Sequence, residues 1–114
     1  MKYELAKQLY QEMLDTHPEI VMKGKTMPYT SINGHMFSIL DKEGHLGLRL
    51  SKEDRIQFMD EHGAELHGAY GRVMREYVRV PETVLTNTKL MEEYLKKSFA
   101  YVTSLEPKPT TKKK

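Results

Sequence analysis

Five histidines, three adjacent carboxylate pairs and no cysteine are what this 114-residue chain offers to reaction chemistry. A metal site would need two imidazoles held on one side of one element, as His-x-His or His-Glu-x-x-His arrangements do. His17, His35, His45, His62 and His67 form neither pattern. His45 pairs with Asp41 across a predicted hairpin, while His35 falls at the far end of the same strands. Glu53-Asp54, Asp60-Glu61 and Glu92-Glu93 sit on predicted helix surfaces, where solvation accounts for them. Ser31 and Ser38 lack the glycine-flanked strand-to-helix turn of a nucleophile elbow. Gly68 and Gly71 precede no Lys-Ser or Lys-Thr, so a phosphate loop is not expected. The expectation is a non-enzymatic protein with no cofactor and no metal.

Arginines and aromatics make a more promising set. Phe37 and Arg49 are expected opposite one another on one side of a sheet, with Arg75, Tyr77 and Arg79 alternating along a later strand. An open face of this kind suits a protein partner or stacked nucleobases, and equally a solvated sheet surface. Its placement depends on register. A three-residue loop at Lys42-Glu43-Gly44 puts Phe37 opposite Arg49, whereas a two-residue turn sends Phe37 to the core.

The elements that would hold these residues are legible from periodicity. Ala6, Leu9, Tyr10 and Met13 recur at helical spacing opposite Lys7, Gln8, Gln11 and Glu12, and Pro18 ends that helix. Asn33-Gly34 predicts a two-residue hairpin turn, since both central positions need positive φ. Leu46, Leu48 and Leu50 alternate with His45, Gly47 and Arg49 as a half-buried strand does. Ser51 caps a second helix, with Ile56 and Met59 expected inward, and His62-Gly63 stops it. Two strands follow, one from Ala64 and one at Arg75–Val80, closed by Pro81. A last helix starts near Asn87 with the stripe Met91, Tyr94, Leu95, Ser98, Val102 and Leu105. The order α-β-β-β-α-β-β-α predicts a two-layer α+β domain, one antiparallel sheet with helices packed on one face. That domain spans residues 1–105, and 106–114 is expected to be a disordered Pro/Lys-rich tail.

Composition bounds the function. No apolar run approaches about 18 residues, so no membrane span is expected. The opening Met1-Lys2-Tyr3-Glu4 has no apolar signal core behind it, and a cytoplasmic location is the simplest expectation. The net charge is +2, but residues 106–114 alone carry +3, which leaves the rest of the chain at −1. A near-neutral body argues against a broad nucleic-acid footprint.

Gly24-Lys25-Thr26-Met27-Pro28-Tyr29 with Asn33-Gly34-His35-Met36-Phe37 resembles the first hairpin of the TfoX N-terminal domain family. Leu48-Arg49-Leu50-Ser51 entering the Glu53-Asp54 helix is also similar. So are Met74-Arg75-Glu76-Tyr77-Val78-Arg79-Val80-Pro81 and Tyr101-Val102-Thr103-Ser104-Leu105-Glu106-Pro107-Lys108. Met27-Pro28-Tyr29-Thr30 stands where that family commonly has a Met-Phe-Gly-Gly signature, which implies a divergent member, expected to be a stand-alone one. The resemblance implies the same two-layer α+β fold, a bacterial source and a link to regulation of natural competence, and it brings no catalytic residues. The leading expectation is therefore a small regulatory accessory acting by protein interaction. The alternative is a nucleic-acid-associated regulator using the sheet arginines and the basic tail. A homodimer with Tyr77 and Arg79 among its contacts is also expected, because open sheet edges are commonly covered.

The tail separates the two classes. A few lysines release only a few counterions, so any DNA or RNA affinity should be weak and should vanish in a chain ending at Glu106. Titration of both chains with DNA and RNA at physiological salt checks this. Sub-micromolar binding that survives truncation would reverse the preference.

Overall fold

Two glycine-assisted turns organise the first half of the chain. In the computed structural model, which describes residues 2–24, 27–69 and 72–106, β1 (Tyr29–Ile32) turns at Asn33-Gly34 into β2 (His35–Leu40). Both turn residues have positive φ, 54° and 80°, as a type I′ hairpin requires. The next turn is fastened by Asp41, whose Oδ1 accepts the backbone N–H groups of Glu43 and His45 at 2.9 Å each. Gly44 supplies the left-handed position at φ 87°. β3 (Leu46–Arg49) then pairs with β2 in the three-residue-loop register, Ile39 opposite Gly47 and Ser38 opposite Leu48.

α2 (Lys52–His62) carries the chain across to β4 (Leu66–Ala69), which pairs with β5 (Arg72–Arg79). β5 also pairs with β3, giving a five-stranded sheet in the order β1-β2-β3-β5-β4 with every neighbour antiparallel. The Ser51 hydroxyl caps α2 by accepting the Asp54 N–H, and Gly63 ends it at φ 61°. α1 (Tyr3–Asp15) and α4 (Thr88–Ser104) pack together over β2. A one-turn helix, α3 (Glu82–Leu85), occupies the segment between Pro81 and Asn87 and buries Val84 and Leu85. The fold is α+β with the helices on one face, as the element order predicts. No helix among the described residues is long and apolar enough to cross a membrane. Apart from Glu106, the predicted tail lies outside the described residues.

The core lies between the helices and one sheet face. Leu46, Leu48, Leu50 and Val78 are fully buried and Val80 nearly so, which is the set that strand alternation predicts. Ala6, Tyr10, Met13 and Leu14 of α1 meet them, with Met91, Leu95 and Val102 of α4. On α2 the inward residue is Phe58, fully buried, rather than Ile56, which is half-exposed at 52%. The reason is an aromatic partner: Phe58 packs edge-on against Tyr94 of α4 at 4.7 Å.

Phe37 also departs from expectation. It is not on an open face opposite Arg49 but fully buried on the helix side. The turn length is as predicted, so the cause lies on the other edge of β2. β1 and β2 pair Ser31 with Met36 and Thr30 with Ser38, which leaves Phe37 as the extra residue of a β-bulge. Such a residue lets two consecutive side chains sit on one face. Phe37 thus meets Phe99 of α4 edge-on at 6.0 Å, while Ser38 bonds to Tyr10 of α1.

Ser38 closes a buried hydroxyl trio with Tyr10 (2.6 Å) and Thr30 (2.5 Å). Ser38→Ala removes the hydroxyl that Tyr10 and Thr30 share inside the core and should cost about 1–3 kcal/mol. Thermal denaturation followed by circular dichroism checks this. For a domain of this size it should lower the midpoint by roughly 4–8 °C per kcal/mol. An unchanged midpoint would mean that the trio contributes nothing net.

Candidate interaction site

A cluster of arginines lies where β3 ends, α2 begins and the middle of β5 runs beside β4. Arg49, Arg55, Met59, Leu66, Arg75, Glu76 and Tyr77 line an open groove of about 810 Å³ there. Three guanidinium groups face one carboxylate, an excess of two positive charges. Each arrives from a different element because β3–β5 pairing sets Arg49 opposite Tyr77, and α2 starts directly after β3. Arg55 bonds back to the Leu50 carbonyl at 3.1 Å, which fixes its position over the strand end.

Glu76 ties the groove wall to the last helix. Its carboxylate accepts from Arg49 Nε at 2.7 Å and from the Tyr101 hydroxyl at 3.0 Å, and Arg49 also lies over the Tyr101 ring at 5.6 Å. Burial alone would raise the Glu76 pKa, but the hydrogen bonds from Arg49 and Tyr101, with the charges of Arg49 and Arg55, hold it below the ordinary glutamate range. Arg75 is the contrast: it is exposed and has no hydrogen-bond or ion-pair partner among the described residues.

The five residues expected to share one surface therefore divide three ways. Arg49, Arg75 and Tyr77 meet in the groove. Phe37 is in the core. Arg79 turns toward β4, donating to His67 Nδ1 and to the Gly68 carbonyl, both at 3.4 Å. Tyr77 contributes its ring to the groove but not a free hydroxyl, which donates to the Met36 carbonyl at 2.6 Å. Burial pushes that phenol up to about 12. The two contacts expected of a homodimer thus spend their polar ends inside the chain. Sequence pattern does not place Arg55, Met59, Leu66 or Glu76 in this set, since only tertiary packing brings α2 and β4 together beside this stretch of β5. No family model matches this chain, and no curated protein or solved structure matches it.

A second polar cluster lies at the turn between β2 and β3. Asp41, Glu43 and His45 gather their ligand atoms within 4.8 Å of one another, and His45 Nδ1 stands 3.5 Å from the Asp41 carboxylate and 3.7 Å from that of Glu43. Asp41 already holds the hairpin through its backbone bonds, which is reason enough for it to be there. Beside it His67 is fully buried and lies so close over Gly47 that a Cβ there would come within 2.6 Å of the ring. Glycine at 47 is a space requirement of this imidazole. Arg79 donates to Nδ1, so Nε2 carries the proton, and Nε2 has no hydrogen-bond partner among the described residues.

Burial, reinforced by the neighbouring Arg79 charge, lowers the His67 pKa from 6.5 to about 4, against a smaller opposing pull from Asp41. Unfolding restores the ordinary value, so between pH 6.5 and 4 the unfolded chain binds more protons and stability falls as pH is lowered. The stability present above that window and lost across it is about 3 kcal/mol. Melting temperatures measured from pH 7 to 4 should fall more steeply for the native chain than for His67→Gln, which has nothing to protonate. Parallel profiles would show that His67 is not the acid-sensitive group.

Proposed function

We propose that this domain is a non-catalytic protein-interaction module, a regulatory accessory working in the cytoplasm, and that the arginine-lined groove is its contact surface. The observation that carries the reading is Arg75, an exposed guanidinium without a partner among the described residues, placed beside two more guanidinium groups and an aromatic ring. Arginine and tyrosine are the residues on which interface energy concentrates. Arg49 and Tyr77 are already held by internal bonds, so little side-chain freedom remains to be lost on binding. The regulatory part of the reading draws on the TfoX-like resemblance. Two excess positive charges in one groove would displace few counterions, which favours a protein partner over a nucleic acid.

The test compares affinity capture from the native cytoplasm by the tagged chain, by Arg75→Glu and by Lys7→Glu, a control on the exposed face of α1. A partner held by the native chain and by Lys7→Glu should be reduced at least about tenfold with Arg75→Glu, a loss of about 1.4 kcal/mol. Identical capture by all three would remove the groove from the reading.

A further inference from the structure

Resting on the protein-interaction reading, we propose that the groove takes a short acidic peptide segment carrying one large apolar side chain among its carboxylates. Two kinds of wall meet there. One is cationic, from Arg49, Arg55 and Arg75; the other is apolar, from Met59 of α2 and Leu66 of β4. Leu66 is one of the few large apolar side chains left exposed, at 37%, and Met59 is only half-buried. A small inorganic anion would satisfy the arginines and leave both apolar groups in water. A partner combining negative charge with an apolar anchor covers all of them, and an unbranched methionine adapts to the shape of such an anchor. The groove is open, about 810 Å³, so it seats a partner's side chains against its walls and does not enclose a ligand.

Glu76 sets the pattern within the segment. Its carboxylate already occupies Arg49 Nε and repels any second carboxylate placed there. Incoming acids are directed to Arg75 and Arg55, on either side of an apolar residue seated against Met59 and Leu66. A single-stranded nucleic acid fits less well. It would need open aromatic faces for stacking, whereas the Tyr101 ring lies under the Arg49 guanidinium and Tyr77 is tied down by its hydroxyl.

Fluorescence anisotropy with the full chain tests this, using four labelled probes. They are a twelve-residue Asp/Glu peptide with a central Leu, the same peptide with Gly for that Leu, a Lys/Arg peptide with the Leu, and a twelve-nucleotide oligo-dT. The acidic Leu peptide should bind with a Kd of about 10–100 μM, near 6 kcal/mol. Replacing its Leu by Gly should weaken it at least about fivefold, as expected for one apolar anchor. Arg75→Glu and Arg75→Gln should each weaken it further, Glu the more, and exposure of this side chain leaves the fold intact. No binding of the acidic Leu peptide up to about 1 mM, equal binding of the Gly peptide, or tighter binding of oligo-dT would each overturn the proposal. If capture from cytoplasm depends on Arg75 but the captured partner holds no acidic segment, the interaction reading survives and this inference falls.

Discussion

The Ser38 hydroxyl is the point on which the architecture turns. It is buried where a helix, an edge strand and the second strand meet, and it bonds to Tyr10 on one side and Thr30 on the other. A hydroxyl placed away from water is costly unless it is paired, and three can satisfy one another only in a particular arrangement. A slip of β1 by one residue, or of α1 by a fraction of a turn, would leave at least one of them orphaned. Burial pushes the Tyr10 phenol well above its ordinary range, more than the bonds from Ser38 and Thr30 pull it back. Apolar packing drives the helices onto the sheet without fixing their rotation; the hydroxyl trio supplies that specificity.

The groove depends on the same framework at one remove. The bulge that puts Ser38 and Phe37 on one face turns Phe37 against Phe99 and seats the later part of α4 over β2. Tyr101 then reaches Glu76, and Glu76 holds Arg49. Local electrostatics, not a mobile loop, sets the shape of the arginine wall. Where the groove is least constrained, at Arg75, it is also most available.

Much of this was legible because short-range signals and periodicity agreed with the tertiary structure. Asn33-Gly34, the Ser51 cap, the Gly63 stop and the Leu46-Leu48-Leu50 alternation each follow from backbone conformations few residues tolerate or from burial of one face. The failures share a different cause. The alternation of β2 misplaces Phe37 because a bulge changes facing without changing turn length. Ile56 was misplaced because α2 has almost no amphipathic pattern, and its inward side was chosen by Tyr94 thirty-six residues after Phe58. The candidate site was only half legible. Arg49, Arg75 and Tyr77 share a register that strand pairing predicts. Arg55, Met59 and Leu66 join them only because α2 crosses from β3 to β4 over the intervening β5. His67 carries no local sign that it will be buried, except that its neighbour across the sheet is a glycine.

The sheet's two outer strands are each four residues long, and both are irregular: β1 shifts register between Thr30 and Ser31, β4 between Leu66 and Gly68. A growing β-assembly needs a straight, regular row of unpaired amides and carbonyls to copy. Neither border offers one for more than two or three residues before the strand twists away. The chain can therefore be concentrated in a crowded compartment with little tendency to stack edge to edge, and this protection is built into the backbone, independent of surface charge or salt.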